Sequence, residues 1–463
     1  MINRRNFLKA SAASTIAGTG ALNLSQNSAH AAVTPDANDF KTIVCVFLDG
    51  GNDSYNMLVP NTTPEYNAYI RSRGALALER SALQSITPRG LGANSFGLHP
   101  NMPELKNMFD NGEASLIANV GPLIEPTNKA DITNGSALLP TGVSGHRRGS
   151  SYWKGDHDST VNTSKDGIGG RLANEFVNDA ELPMLISAGA GYDLFLNHAT
   201  QPVYGVLPSG LVVMPDHDVS QPGRFSRAST VARRAALDKL NALGAGNKNL
   251  FVKHSGELLQ QGLHLSLTAQ NSLNDIPPLN VEFPAAPLTG VSRNLERAAE
   301  MISIRESLGM RRQIIYVRGV GFDRHDRLNI WHDPAMAELS ASLAAFNDAM
   351  KEMGKDSSVL TYTASDFSRT LTNTGDGTDH AWGGPQILMG GGIKGGELFG
   401  SYPVLELDGE EDFNGDGRMI PSLSVTQHAA TIAKWFGVPQ NRLSAVVPNI
   451  VNFSGQEDLG FFA

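Results

Sequence analysis

The sequence of 463 residues contains a single cysteine, Cys45, so no disulfide can form within one chain. It also has no excess of positive charge, because 46 acidic residues outnumber 37 lysines and arginines and give a formal net charge of −9. Non-specific binding of nucleic acid needs a basic surface, and the composition argues against that function. No segment reaches about 18 consecutive apolar residues, so we expect no stable membrane span.

The residues that are abundant indicate a globular protein with many loops. The chain has 48 glycines and 24 prolines, while 41% of its residues are hydrophobic and 18% are charged, which is normal for a domain with a sizeable core. Cys45 lies inside the apolar run Ile43 to Leu48, and we interpret it as a buried hydrophobic residue rather than a reactive thiol. Without disulfides, stability must rest on the core or on bound metal.

The N-terminal segment combines two adjacent arginines with a weakly apolar stretch. The run NRRNFLK over residues 3–9 resembles the twin-arginine export motif, and residues 10–24 are too short and too polar to span a bilayer. A small-residue cleavage site follows at Ala29-His30-Ala31. We therefore predict a twin-arginine signal peptide over residues 1–31, a linker over 32–40, and a periplasmic or secreted protein. The twin-arginine translocase is the expected partner during export.

Short apolar runs alternate with helical patterns along the rest of the chain. Lys41 to Leu48 is nearly all apolar and β-branched, which is typical of a buried central strand. Further strands are predicted over residues 115–120, 183–187, 313–317, 359–363 and 386–389. Helices are predicted over Glu338–Met353 and Val425–Phe436, since each presents one apolar face and is followed by glycine.

This alternation of strands and helices predicts an α/β protein. The expected architecture is a three-layer α/β/α sandwich with a mostly parallel sheet. Residues from about 200 to 295 lack the alternation and contain clusters of proline and asparagine, so we interpret them as an insertion or cap.

Polar side chains follow the predicted strands, where functional groups collect in sheets of this kind. Asp49 follows the first strand. Asp323 and His325 follow the strand at 313–317, and their i, i+2 spacing places both on one side of an extended chain. Carboxylate oxygen and imidazole nitrogen together suit a divalent metal ion, whereas a solvated polar loop is the alternative interpretation.

Two later segments carry the same kinds of side chain. Asp366 follows the strand at 359–363, and its alternative role is an ion pair with Arg369. Asp379 and His380 are adjacent in a glycine-rich loop, where a hydrogen bond between them would be the simpler explanation.

Several phrases of the sequence, spread over residues 41–440, together resemble the family of domain-of-unknown-function 1501 (DUF1501). Among them are FLDGGNDSYNMLVP (47–60), GFDRHDRL (321–328), TASDFSRTLTNTGDGTDHAWGG (363–384) and MGGGIKGGELFGSYP (389–403). That family resembles a distant branch of the alkaline phosphatase and sulfatase superfamily. The resemblance implies an alkaline phosphatase-like domain over residues 41–455, one or two divalent ions, and hydrolysis or transfer at phosphate or sulfate esters.

The resemblance also implies metal ligands. Asp49 matches the first-strand carboxylate of the superfamily, while Asp323 and His325 resemble an Asp and a His that bind its first metal, although only one residue separates them here instead of three. Asp366 keeps the acid of an Asp-His-Gly motif whose histidine is replaced by Phe367. His380 fits a later histidine ligand. In a second possible register, Asp379 and His380 match the Asp-His pair instead. The identity of the metal stays open, because Zn²⁺, Mn²⁺, Mg²⁺, Fe and Ca²⁺ share oxygen and imidazole ligands to varying degrees.

The superfamily uses a Ser or Thr nucleophile at a helix start, where the helix end and a metal favour its ionised form. Ser144 is the predicted catalytic residue, with Thr141, or no nucleophile at all, as alternatives. Arg147 and Arg148 would suit an anionic substrate, or form a solvated basic turn. Asn52 is predicted to bind substrate with them.

These features predict an exported, metal-dependent hydrolase or transferase of phosphate or sulfate esters, degenerate relative to the superfamily. Its substrate would be a small anionic or sugar-like molecule. The alternative is an envelope protein that binds a metal or ligand on the same scaffold without catalysis.

Overall fold

The structure is a computed structural model that describes residues 32–36, 38–155, 166–189, 193–211, 223, 226–245, 247–285 and 288–462. The predicted signal peptide, residues 1–31, lies outside these ranges. Among the helices within them, none has the length and apolarity required to cross a bilayer.

One large sheet dominates the described part of the chain. Its strands are β1 (Lys41–Leu48), β5 (Ala114–Gly121), β6 (Leu185–Ala188), β7 (Val203–Val206), β8 (Arg312–Gly319), β9 (Val359–Ser365), β12 (Gly384–Gly390), β13 (Leu398–Phe399) and β14 (Leu423–Ser424). A small sheet contains β2 (Leu58–Pro60), β3 (Gln84–Ile86) and β4 (Phe96–Leu98), and a hairpin is formed by β10 (Arg369–Thr374) and β11 (Gly377–His380).

The large sheet has the strand order β13-β5-β12-β9-β1-β8-β6-β7, with β14 also paired to β5. The central strand β1 pairs in parallel with β8 and β9, and β6 pairs in parallel with β8 and β7. Only β12 runs against its neighbours, β5 and β9, among the strands described. The carboxyl ends of β1, β8 and β9 therefore meet at one edge of the sheet.

Helices pack on both faces of the sheet, and further helices lie outside these two layers. The helices of the described ranges are α1 (Ser54–Met57), α2 (Thr63–Arg73), α3 (Pro103–Asp110), α4 (Lys129–Asn134), α5 (His146–Lys154), α6 (Ile168–Ala173), α7 (Ala228–Ala245), α8 (Leu250–Asn274), α9 (Val291–Ser303), α10 (Leu328–Glu352), α11 (Val425–Phe436) and α12 (Leu443–Val446). Short 3₁₀ helices lie over Gly74–Leu76, Arg80–Ala82, Leu194–Leu196, Gln440–Arg442 and Pro448–Phe453.

Successive residues of β1 enter two separate hydrophobic cores. Val44 and Val46 pack on the face that carries α3, α9 and α10. Cys45 and Phe47 pack on the face that carries α6 and α11. Burial on both faces is the reason that β1 is apolar throughout. It also raises the pKa of the Cys45 thiol to about 12, so this thiol is a packing residue. The predicted three-layer α/β class with a mostly parallel sheet is confirmed.

Two elements differ from the sequence-based bounds in an informative way. Helix α10 begins at Leu328, ten residues before its predicted start, and contains Pro334. Pro334 lies inside the helix, beyond its first turn, where proline removes an internal hydrogen bond, so its presence discourages a helical assignment from sequence alone. In the segment predicted as an insertion, β7 belongs to the main sheet, and α7 with α8 forms a helical hairpin.

Candidate metal centre

Side chains from four parts of the chain meet at the carboxyl edge of β1, β8 and β9. Asp323 and His325 lie in the loop after β8, and Asp366 follows β9 directly. His380 is the last residue of β11, and His146 is the first residue of α5. We call His146, Asp323, His325, Asp366 and His380 the edge cluster.

Three imidazole rings of the edge cluster point the same nitrogen, Nε2, at the carboxylate of Asp323. His146 Nε2 lies 3.3 Å from Oδ2 of Asp323, and His380 Nε2 lies 3.3 Å from its Oδ1. His325 Nε2 lies 3.1 Å from the same Oδ1 and 3.0 Å from His380 Nε2. One carboxylate thus faces three convergent nitrogens.

The other ring nitrogen of two histidines fixes their tautomers. His380 donates its Nδ1–H to the carbonyl oxygen of Ser144, at 2.9 Å, because a carbonyl can only accept. His146 donates its Nδ1–H to Oδ2 of Asp366, at 2.8 Å. In the neutral form each Nε2 therefore carries a lone pair directed at Asp323. This arrangement, an imidazole held through its second nitrogen by a carbonyl or carboxylate, is the one that metal-binding histidines adopt.

Electrostatics keep Asp323 ionised and His380 neutral. Burial alone would raise the pKa of Asp323, but the hydrogen bond and charge of Arg369 outweigh it and lower the pKa to about 2. Burial, followed by the charge of Arg369, lowers the pKa of His380. A lone pair at 3.3 Å from an anionic oxygen repels it, and either a proton on the ring or a cation shared between the two groups removes that repulsion.

The observed spacings fit a shared divalent ion. Two ligand atoms that each lie about 2.1 Å from one ion are about 3.0 to 3.4 Å apart for angles between 90° and tetrahedral. The three distances from imidazole nitrogens to Asp323 oxygens run from 3.1 to 3.3 Å, and His325 Nε2 lies 3.0 Å from His380 Nε2. His146, Asp323 and His380 form one compact donor set, and His325, Asp379 and His380 form another, with ligand atoms within 4.8 Å in each.

Asp366 orients His146 through one carboxylate oxygen, and its other oxygen has no hydrogen-bond partner among the described residues. Its Oδ2 accepts from His146 and, at 3.0 Å, from the backbone N–H of Gly50. Its Oδ1 is buried without a hydrogen-bond partner in the described structure. Burial, with a smaller contribution from the charge of nearby Asp49, raises the pKa of Asp366. Burying a carboxylate oxygen without a partner costs free energy, and a cation bound nearby would offset that cost.

Arg369 was missed as a site residue by sequence reasoning and is fully buried beside the cluster. Its guanidinium donates to Oδ1 of Asp323 at 2.6 Å, to the carbonyl of Gly51 at 2.9 Å and to that of Thr378 at 3.2 Å. It therefore ties the loop after β1, the loop after β8 and the β10–β11 hairpin together. The sequence alternative of an Asp366–Arg369 pair is not what the structure contains, because Asp366 pairs with His146.

A glycine allows α5 to approach the end of β9. A Cβ atom at Gly149 would collide with the carbonyl oxygen of Asp366. This close approach places His146, one turn earlier in α5, over the Asp366 carboxylate. His146 was also missed as a ligand, and the only signal for it was its position two residues after Ser144 at a helix start.

The remaining predicted ligands lie close to the edge cluster with other partners. Asp49 accepts from Arg318 Nε at 2.9 Å, and its carboxylate is occupied by that arginine. Asp379 lies next to His380, accepts the His380 backbone N–H at 2.8 Å, and is 3.4 Å from Arg418 Nη2.

The predicted catalytic and substrate residues are distributed differently. Ser144 donates its hydroxyl proton to the carbonyl of Ala381 at 2.9 Å, and its own carbonyl holds His380. Arg147 is exposed beside His146, Arg148 is half-buried in the same helix, and Thr141 is exposed. Asn52 is fully buried, and its Oδ1 accepts from His332 Nε2 at 3.1 Å, so it supports the loop from within.

Comparison with known proteins gives one family and several solved structures. The sequence model of the family described as "Protein of unknown function (DUF1501)" matches residues 189–443. The search of curated proteins gave no match. The solved structures include the PsFucS1 sulfatase from Pseudoalteromonas sp., with 12% identity, a TM-score of 0.33, and coverage of 87% of this chain and 68% of that one. They also include Ps i-CgsB in complex with k-i-k-neocarrahexaose, with 11% identity, a TM-score of 0.33, and coverage of 91% and 78%.

Proposed function

This chain belongs to the DUF1501 family, and we propose that it holds a divalent cation in its edge cluster and hydrolyses phosphate or sulfate esters there. The proposed ligands are His146, Asp323, His325 and His380. Three imidazole nitrogens with one carboxylate suit Zn²⁺, Mn²⁺ or Fe better than Mg²⁺ or Ca²⁺, which prefer oxygen.

The observation that carries this proposal is the direction of two imidazole lone pairs. Because Ser144 and Asp366 fix the Nδ1–H of His380 and His146, both Nε2 atoms face the Asp323 anion at 3.3 Å. A cation resolves that repulsion, whereas a water molecule would have to donate to two nitrogens and a carboxylate at once.

A bound divalent ion would supply Lewis acidity toward an ester oxygen. The residues of the chain do the remaining work. Asp366 and Ser144 hold two ligands in the correct tautomer, and Arg369 holds the pKa of Asp323 at about 2, so that this carboxylate is ionised near neutral pH. Arg147, exposed one position after His146, is placed to attract an anionic substrate.

Metal content and hydrolysis of the purified protein test the proposal. We expect about one equivalent of a transition metal by elemental analysis and turnover of p-nitrophenyl phosphate or sulfate that a chelator abolishes. Asp323→Asn and His380→Gln should lose both properties. His264→Gln, which changes an exposed histidine of α8, is the matched control and should keep both. A folded protein that takes up no ion after incubation with Zn²⁺, Mn²⁺ or Fe²⁺ would overturn the proposal.

A second candidate function, binding of a metal or ligand without turnover, is favoured by Ser144. Its hydroxyl proton is directed to the Ala381 carbonyl, and no general base lies in hydrogen-bond reach of it among the contacts described. The same experiment separates the two candidates, since stoichiometric metal in a protein inert toward both esters supports binding alone.

We also propose that the chain is exported through the twin-arginine translocase and acts in the periplasm or outside the cell. The adjacent Arg4 and Arg5 of the N-terminal segment support this route. The route suits a metal site that forms only on folding, because the translocase carries folded proteins.

A further inference from the structure

The helical hairpin of α7 and α8 is exposed over most of its surface. Among its described side chains, only Thr230, Gly256, Leu265 and Ala269 are buried. Leu265 and Ala269 belong to the core beneath the sheet, so the C-terminal half of α8 is anchored there. The connection between the helices lies at the opposite, free end, where Gly244 packs against Gly256.

The buried apolar line of α8 continues into the exposed half of the helix. Leu258 and Phe251 precede Leu265 by seven and fourteen residues, which is two and four turns on the same face. Leu265 is 9% exposed, whereas Leu258 is 53% and Phe251 is 87% exposed. The rest of the protein therefore buries the C-terminal part of this apolar face of α8 and leaves its N-terminal part exposed to solvent.

Large apolar side chains are concentrated at the free end of the hairpin. Leu240 and Leu243, in the last turns of α7, are 64% and 63% exposed. Leu250, Phe251 and Val252 open α8 and are 78%, 87% and 43% exposed. We define Leu240, Leu243 and residues 248–253 as the hairpin tip.

The geometry of the tip argues against a flat protein partner. Three consecutive helical residues point about 100° apart and therefore face three sides of the helix. One protein surface covers a single side, so it would leave at least one of Leu250, Phe251 and Val252 in water. A fluid apolar medium that surrounds the end of the hairpin covers all three.

The charge of the hairpin is opposite to that of the chain. Residues 228–274 contain five lysines and arginines and two acidic residues, in a protein with a formal charge of −9. Lys253 follows the apolar triplet directly and forms an exposed pair with Glu257 at 3.8 Å, and Lys248 precedes the triplet by two positions. Apolar residues bordered by lysines are the pattern of segments that enter the headgroup region of an anionic bilayer.

We propose that the hairpin tip inserts into the surface of a bilayer that contains anionic phospholipid. Leu250, Phe251 and Val252 enter the boundary between headgroups and acyl chains, and Lys248 and Lys253 bind lipid phosphates. The apolar residues of the hairpin tip lie within about two helical turns of the connection between the helices, roughly 11 Å, which is close to the depth of interfacial insertion. The anchor holds the protein at a membrane without a spanning helix, and it is independent of any activity at the edge cluster.

Flotation with lipid vesicles tests the anchor. We expect the full chain to float with vesicles of phosphatidylcholine and phosphatidylglycerol, to float less with phosphatidylcholine alone, and to be released by raised salt. Leu250→Asp with Phe251→Asp should lower the bound fraction about tenfold or more, because two buried apolar side chains become charged. Val451→Asp, at another exposed apolar position, is the matched control and should float like the wild type.

Two further measurements make the outcome decisive. In Phe251→Trp, the tryptophan emission should shift to shorter wavelength when anionic vesicles are added, because the ring leaves water. Flotation that persists unchanged in the double Asp variant would overturn the proposal. A wild-type dimer that fails to float, and that becomes monomeric in the double Asp variant, would overturn it in favour of a second copy as the occupant.

Discussion

His146 donates its Nδ1–H to Oδ2 of Asp366 at 2.8 Å, although 220 positions of the chain separate them. The hydrogen bond places a ligand from the start of α5 over an acid at the end of β9. A buried anion thus sets the tautomer of a histidine that faces a second anion, Asp323. The relationship makes Asp366 a positioning residue in the proposed metal centre.

Replacing Asp366 by Asn should weaken metal binding about 10- to 100-fold, the usual effect of removing a carboxylate that holds a metal-binding histidine. The amide can turn its NH₂ group toward Nδ1, so that the other tautomer directs an N–H at Asp323. A chelator-competition titration measures the change in Kd.

Asp376→Asn is the control for that substitution, because Asp376 is exposed in the turn of the β10–β11 hairpin. Equal affinities of the two variants would show that Asp366 does not orient His146.

Replacing Arg369 by Met should destabilise the fold by about 3–5 kcal/mol, because the buried guanidinium donates to several buried oxygens and each acceptor left without a donor costs about 1–3 kcal/mol. The substitution leaves the carbonyls of Gly51 and Thr378 without their donor. Arg369→Lys should recover part of this loss at most, since a single ammonium cannot donate in all of these directions. Urea unfolding measures each free energy.

The exposed pair of Arg71 and Glu406, 3.8 Å apart, provides the comparison for Arg369. Arg71→Met should cost no more than about 1 kcal/mol. A loss that small for Arg369→Met as well would contradict the role given to the buried guanidinium.

The sequence was sufficient to predict elements whose pattern is local. The bounds predicted for β1 and α11 agree with the structure. A strand that is buried on both faces is apolar throughout, and a helix that packs on a sheet with one face repeats its apolar residues with the helical period, so both patterns can be read locally. Helix α10 is longer than predicted, because Pro334 is a local signal against a helix, whereas in the folded protein the helix continues through it.

The candidate site could be predicted only in part, for a physical reason. Asp323, His325, Asp366 and His380 follow strands or lie in polar loops, and position along the chain is enough to single them out. His146 and Arg369 acquire their roles from contacts across long sequence distances, such as the 46 positions between Arg369 and Asp323. The partner of Asp49, Arg318, lies 269 positions away and could not be identified from spacing.

Gly149→Ala should disturb the centre without changing any polar group in it. The added methyl group meets the carbonyl of Asp366, so α5 must move outward and carry His146 with it. We expect a loss of about 1–3 kcal/mol in stability, typical of overpacking, together with weaker metal binding. Thermal unfolding and the chelator titration report the two effects.

Ser150→Ala changes the next residue of α5 and serves as the control for Gly149→Ala. Unchanged metal affinity in Gly149→Ala would mean that the approach of α5 to β9 is not needed to place His146.

His428 should make the protein less stable in mild acid. Burial lowers its pKa to about 3 from 6.5, so the unfolded chain binds a proton between these values and the folded chain does not. Stability is therefore lost as pH falls below 6.5, on the order of 3 kcal/mol by pH 4 from this residue. Unfolding by urea at several pH values should show that His428→Leu flattens the slope.

His264→Leu, at an exposed position, should leave the pH slope of stability as it is in the wild type. A slope that is the same in His428→Leu as in the wild type would show that His428 is not buried in its neutral form.

Replacing Arg4 and Arg5 by Lys should retain the chain in the cytoplasm, since the export motif depends on the arginine pair. Fractionation of bacterial cells that express each form measures the periplasmic share. Replacing Lys41 and Lys351, two basic residues of the folded domain, by Arg is the control. Export of the Arg4/Arg5 variant at the wild-type level would contradict the proposed route.

The burial of Cys45 has a practical consequence for labelling. Because Cys45 is 2% exposed and the pKa of its thiol is about 12, the native chain offers no reactive thiol to a maleimide or a nitroxide reagent. A cysteine introduced at one surface position, such as Phe251→Cys, would therefore be the sole point of attachment without prior removal of the native one. A spin label attached there would report its depth in a lipid bilayer, and no second label elsewhere on the chain would contribute to the signal.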